Sequence, residues 1–138
     1  MKLTPYLTFN GNCEEALNFY AAVFDGEIKD LKRFEGSPVE GMSKDPNKIM
    51  HARFVADGIF FMASDGGHGE SNGRAHVGIS MSVECDNEGQ IDNVFSKLSD
   101  GGQVTMPLEN TFWGARFGML KDKFGVNWMF NYQKIPAQ

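Results

Sequence analysis

The stretch Ile49-Met50-His51-Ala52-Arg53-Phe54-Val55-Ala56-Asp57-Gly58-Ile59-Phe60-Phe61-Met62-Ala63-Ser64 reads as two β-strands, Ile49 to Ala56 and Ile59 to Ser64, around a two-residue turn. Asp-Gly tolerates the positive φ angles of a tight hairpin turn, and β-branched and aromatic residues flank it. This hairpin has a counterpart. Asp57-Gly58-Ile59-Phe60-Phe61-Met62 is similar to Asp122-Lys123-Phe124-Gly125-Val126-Asn127-Trp128-Met129. The likeness predicts a duplicated unit.

Outward from the first hairpin, Leu3 to Asn10 alternates after Pro5 as a strand does, with Leu7 and Phe9 facing one way and Tyr6 and Thr8 the other. Asn12 with Glu15 resembles a helix start. Ala16, Leu17, Phe19, Tyr20, Val23 and Phe24 follow at helical spacing, and Gly26 is read as the stop. Glu27 to Phe34 reads as a strand, and the glycine- and proline-bearing stretch 36–47 as a loop. The order then recurs. His76 to Cys85 reads as a strand, and Ile91, Val94, Phe95 and Leu98 mark a helix capped by Asp86 or Asn87. Gln103 to Met106 reads as a strand, residues from Pro107 as a loop, and Phe112 to Lys121 and Val126 to Tyr132 as the closing pair. The expected organisation is one domain, 1–138, of two βαβββ repeats, about 1–65 and about 75–138. A unit of that size buries little surface alone.

Composition narrows the function. With 41% hydrophobic and 22% charged residues, a disordered chain is not expected. A net charge of −5 with no basic cluster argues against nucleic acid. The longest apolar run, Gly58 to Ala63, is far short of the ~18 residues of a membrane span, and no basic segment followed by an apolar one opens the chain. Two cysteines, Cys13 and Cys85, fit a reducing, cytoplasmic setting. No phosphate loop, dinucleotide fingerprint, nucleophile elbow or paired CxxC is present.

Tyr6-Leu7-Thr8-Phe9-Asn10-Gly11-Asn12, Glu15-Ala16-Leu17, Phe19-Tyr20 and Val23-Phe24-Asp25-Gly26, with Trp113-Gly114-Ala115-Arg116-Phe117-Gly118 and Asp122-Lys123-Phe124-Gly125-Val126-Asn127-Trp128, carry a resemblance over essentially the whole chain. The sequence resembles the PhnB-like branch of the vicinal oxygen chelate (glyoxalase/bleomycin resistance/dioxygenase) superfamily. The resemblance implies an α+β fold, glyoxalase/dihydroxybiphenyl dioxygenase-like, in which two βαβββ repeats curl mixed sheets around a cavity. It also implies a homodimer. Metal enzymes of the superfamily take His or Glu ligands from four strand positions. Carried over one at a time, these fall on Thr4 or Pro5, Met62, Gly78 and Met129. Thioether sulfur suits Cu(I) rather than Zn, Ni, Mn or Mg, so no cofactor and no divalent metal is expected.

Met62 and Met129 each follow their hairpin glycine by four residues, and alternation turns both away from the helix-facing side. They are read either as core that plugs the cavity or as flexible, polarizable pocket walls. His51 precedes Asp57 by six residues and Arg116 precedes Asp122 by six. They are therefore expected at related positions on opposite walls, His51 as base or hydrogen-bond donor and Arg116 as a fork for a carboxylate or phosphate. Trp113, beside Gly114, is expected to line the cavity, and Tyr6 and Thr8 complete the ligand-binding candidates; no catalytic residue is assigned.

His76 shares the face of Gly78 and becomes a metal ligand only on a two-residue slip. His68, in Gly66-Gly67-His68-Gly69, is read as loop or lid. Cys13 sits where a helix dipole lowers a thiol pKa, yet no local base accompanies it, so both cysteines are read as structural. Asp65 is read as a rim residue or as the cap of the glycine loop. The functional expectation is a protein binding a small, partly apolar molecule in a metal-free cavity. The alternative is an enzyme of the same fold, of lyase, isomerase or transferase type, acting on a vicinal-oxygen or electrophilic substrate. A purely structural dimer module is a third reading. A ubiquinone-pathway methyltransferase role is not expected, because no glycine-rich strand-to-helix site for S-adenosylmethionine is present.

Overall fold

In the computed structural model, which describes residues 1–42, 45–66, 76 and 78–134, the first unit (Met1–Ala75) runs β1 (Tyr6–Phe9), α1 (Cys13–Phe24), β2 (Glu27–Arg33), β3 (Ile49–Ala56) and β4 (Ile59–Asp65). Its sheet has the order β1-β4-β3-β2, with β1 parallel to β4 and the other neighbours antiparallel. The Asp57-Gly58 turn closes as the sequence predicts: Ala56 pairs with Ile59, and Gly58 has φ 72°. Leu7, Phe9, Phe54, Phe61 and Ala63 are buried on the face covered by Leu17, Tyr20 and Val23 of α1. Phe54 and Phe61 stack at 4.9 Å, and Tyr20 meets Phe61 edge-on at 5.9 Å. Each such ring contributes roughly 2–3 kcal/mol through burial.

The second unit (His76–Gln138) repeats the order as β5 (Ser80–Glu84), α2 (Glu88–Leu98), β6 (Gln103–Asn110), β7 (Ala115–Lys121) and β8 (Asn127–Gln133), with sheet order β5-β8-β7-β6. Trp128, Phe130 and Leu120 form its core beneath Ile91, Phe95 and Leu98 of α2. Asn87 caps α2 by accepting from the Gln90 N–H at 2.8 Å.

The repeats agree in detail at the helix-to-strand junctions. A Cβ on Gly26 would lie 2.9 Å from the Val55 carbonyl and 2.6 Å from the Phe54 ring, and one on Gly102 would lie 2.4 Å from the Lys121 carbonyl. Val55 and Lys121 hold matching places near the ends of β3 and β7. Gly26 is therefore a close-approach residue rather than the helix stop expected above. The left-handed stop is Asp25, at φ 54°.

Three boundaries differ from expectation for physical reasons. β6 continues through Pro107 to Asn110 because it is an edge strand with two register shifts, where a missing N–H is tolerated. β7 begins only at Ala115, because Thr111 to Gly114 forms a turn in which Thr111 Oγ1 accepts from the Ala115 N–H. β5 begins at Ser80, after Gly78 at φ 83°.

Candidate functional site

The side of the first sheet away from α1 is set by register. Tyr6 pairs with Met62 and Thr8 with Ser64, while Met62 pairs with Arg53 and Phe60 with Val55. All of these therefore alternate away from buried Leu7, Phe54 and Phe61. His51 joins this open face, two residues from Arg53, and pairs with Lys32 of β2. The Tyr6 hydroxyl and His51 Nδ1 lie 3.2 Å apart, so the hydroxyl donates when the imidazole proton is on Nε2. Four sequence candidates, Tyr6, Thr8, His51 and Met62, thus share one surface. Arg53 belongs with them, and sequence reasoning missed it. Its signal was available: a two-residue loop pairs Ala56 with Ile59, and counting back three residues on each strand pairs Arg53 with Met62.

On the second unit's open face, Met129 pairs with Met119 and, on its other side, with Ser82; Met119 pairs in turn with Met106. Phe117 lies on the same face, paired with Asn131, whose Nδ2 donates to Glu84. Trp113, 53% exposed, packs 6.5 Å from the Phe117 ring and edge-on to Phe112 at 5.0 Å.

Arg116 is placed differently from expectation. It pairs with Tyr132, on the face of Phe130 and Trp128, and its Nε donates to Asp92 of α2 at 2.7 Å. The expected equivalence with His51 fails because the second hairpin has one more loop residue. Asp122 closes the turn through Val126, so it matches Ala56 and not Asp57. The partner of His51 in the repeat is Phe117. A one-residue slip moves a side chain to the opposite face.

The sequence profile described as 3-demethylubiquinone-9 3-methyltransferase matches residues 1–130 of the chain. The chain belongs to this PhnB-like family. Protein YjdN of Escherichia coli K12 is 30% identical over 145 residues, covering 97% of each chain. The solved PhnB protein of Bacillus cereus is 34% identical with a TM-score of 0.82, covering 96% of this chain and 99% of that one. A glyoxylase/bleomycin resistance protein/dioxygenase domain from Frankia shares the fold, with a TM-score of 0.66 at 12% identity, over 96% of this chain and 97% of its own.

In this PhnB-like chain the four metal positions implied by the resemblance carry side chains unsuited to a divalent ion. Thr4 and Pro5 precede β1, and Gly78 precedes β5. The residues that register beside Met62 and Met129 are Tyr6 and Ser82. Thioethers, a phenol and a hydroxyl do not fit a divalent ion. Among the described residues no three His, Cys, Asp or Glu side chains come together as an ion would need. His76 is partly buried, and burial pulls its imidazole below the ordinary value against an opposing pull from Asp122. His68 lies outside the described residues. No helix among the described residues is long and apolar enough to cross a membrane.

Two buried carboxylates in the PhnB-like chain organise backbone. Asp65 Oδ1 accepts from Cys13 N–H and Oδ2 from Ile49 N–H, both at 2.9 Å. Buried, it is not a rim residue; the glycine loop that the sequence has it capping lies, beyond Gly66, outside the described residues. Asp65 caps α1 from the end of β4, whereas Asn12 makes no side-chain cap. Cys13 is consequently the reverse of an activated thiol, since burial and then Asp65 push its pKa well above the ordinary range. Burial, with Asp86 and Glu84, pushes Cys85 from 9.0 up to about 11. At pH 8 that leaves roughly a hundredfold less thiolate at Cys85 than an ordinary cysteine carries. Both thiols are therefore expected to react with a chromogenic disulfide reagent at least about 50-fold more slowly in the native chain than in urea. A fast burst of one thiol per native chain would contradict this.

Proposed function

We propose that this PhnB-like chain binds a small, partly apolar molecule, without a metal ion, in a cavity of which the open face of the first unit is one wall. The supporting observation is the register within the first unit, where Met62 stands at a metal position implied by the resemblance, flanked by Tyr6 and Arg53; within the second unit Met129 does so by itself, flanked by Ser82 and Met119. Methionine adapts to irregular and aromatic ligands; on the second unit, taken by itself, Trp113 beside Phe117 is an aromatic pair on which a planar compound can stack. The methyltransferase name stays with the family, because two βαβββ units do not make the doubly wound sheet and glycine-rich turn that a nucleotide-like cofactor uses. The reading includes a homodimer, as the resemblance implies. It also includes a cytoplasmic setting, which the two free cysteines support.

Protein purified without chelator or affinity tag is expected to carry only substoichiometric metal. A planar aromatic compound is expected to quench its tryptophan emission, and the quenching to vanish in Trp113→Phe, which leaves only buried Trp128. Stoichiometric Ni, Zn, Mn or Fe would overturn the metal-free reading, and unquenched emission the aromatic pocket. One observation favours a second reading, an enzyme moving a proton on a vicinal-oxygen substrate: Tyr6 and His51 are hydrogen-bonded on the open face, and when Nδ1 carries the proton and donates to the Tyr6 oxygen, Nε2 is left free to act as base.

A further inference from the structure

We propose that Arg53 is the anion-recognising residue of the first unit's open face, and that the ligand it selects is a small apolar carboxylate. This rests on the binding reading above and adds the ligand's charge to it. Arg53 stands in the row Tyr6–Met62–Arg53–Lys29, two residues from His51.

Its guanidinium is held from two sides. Nη1 donates to Asp30 Oδ2 at 2.9 Å, and the Phe60 ring lies 5.6 Å from Cζ. Asp30 reaches it because β2 breaks register between Lys29 and Lys32, and Asp30 adopts φ 53° there. That left-handed conformation is disfavoured for a residue with a side chain, and such strain gathers where a group must be aimed.

What remains on Arg53 is one complete edge. Nε and Nη2 point the same way from a guanidinium, and that edge presents two parallel N–H donors spaced for the two oxygens of a carboxylate. Nε is buried with no hydrogen-bond partner, and the only ion pair of Arg53 among the described residues is through Nη1. The Arg53 side chain is 41% exposed, which leaves part of it open to an acceptor from solvent. A side-on carboxylate would supply the acceptor that Nε lacks and lay its apolar body toward Met62 and Tyr6.

The local charge agrees. On a chain of net −5, this face carries Lys29, Lys32 and Arg53 against Glu27 and Asp30. Lys32 forms no ion pair with a described residue, so the surplus is positive and attracts an anion. Arg116 cannot offer the same edge, since Asp92 already takes its Nε N–H and Asn110 its Nη1.

The test uses 2-naphthoate and its neutral counterpart 2-naphthamide, titrated by calorimetry into the full chain. Wild type is expected to bind the acid about tenfold or more tighter than the amide. Arg53→Met should weaken the acid by about tenfold and the amide by less than about twofold, making the two alike. Arg53→Lys, which keeps the charge but not the fork, should fall between and serves if the Met variant does not fold. Arg116→Met should change neither affinity. Equal wild-type affinities, or an Arg53→Met loss shared by both compounds, would overturn the role of Arg53 and leave the binding reading standing. If neither compound binds wild type, the aromatic-pocket reading fails and this inference fails with it.

Discussion

Asp122→Ala is expected to lower the stability of the chain by about 4 kcal/mol, a fall in melting temperature on the order of 10–15 °C. Asp122 is 3% exposed, and its carboxylate accepts three hydrogen bonds from described residues. Oδ1 takes the Phe124 and Val126 N–H groups at 2.8 and 3.1 Å, and Oδ2 takes the Trp128 indole N–H at 2.9 Å. Hydrogen bonds to a charged group contribute about 1.5–3 kcal/mol each, and a buried donor left without an acceptor costs more than a lost contact. Alanine strands the indole N–H of Trp128, the largest fully buried side chain, in the middle of the second core. Urea unfolding measures the loss, and hydrogen exchange of the Trp128 indole proton locates it. Asp122→Asn should lose about half as much, because the amide oxygen still accepts from the turn while its NH2 opposes the indole N–H. A loss under about 1 kcal/mol in the alanine variant, with the indole proton still protected, would show that the turn holds without the carboxylate.

The same residue explains why the sequence reading puts Arg116 on the open face and misses Arg53. Counting from the two turn aspartates pairs His51 with Arg116. That count assumes hairpins of equal loop length, and Asp122 breaks the assumption by standing where Ala56 stands in the first hairpin, one residue before Asp57. Side chains alternate with a period of two, so an error of one residue reverses the face and not merely the position. Arg116 therefore reaches α2, and Arg53 stands beside Met62.

What was legible came from local chemistry. The Asp-Gly turn and the apolar spacing of both helices are decided within a few residues, and the structure has them where the sequence places them; of the two caps the sequence allows, Asp86 and Asn87, the structure uses Asn87. The likeness of the two hairpins carries the βαβββ duplication, seen again in the matched clearances at Gly26 and Gly102. Illegible features depend on distant partners. Pro107 reads as a loop until its strand is known to lie at a sheet edge. Asp30 has nothing in its neighbourhood to announce a left-handed backbone, since the bulge exists only against β3. Of the open face, the alternating Tyr6, Thr8 and Met62 could be read directly, whereas Arg53 required register.

Asp65→Ala, the second large effect, is expected to remove about 3 kcal/mol and to loosen one end of the first unit rather than its whole core. Asp65 lies 52 residues from Cys13 and 16 from Ile49, and one carboxylate ties the first turn of α1 to the start of β3. Asn12 provides no side-chain acceptor, so the helix start has no local substitute. Alanine leaves two buried N–H groups without partners, and the helix N-terminus should fray while the stacked Phe54–Phe61 core persists. Native-state hydrogen exchange should show the Cys13 and Ile49 amides losing protection well before those of Phe54 and Phe61. Cys13 should also become accessible to thiol reagents, because the same opening removes both its burial and the adjacent negative charge that raise its pKa. Asp65→Ser should retain part of the stability, since one hydroxyl oxygen can accept from one of the two amides. Unchanged exchange at Cys13 in the alanine variant would mean that α1 starts on other support, and the capping role assigned to Asp65 would be wrong.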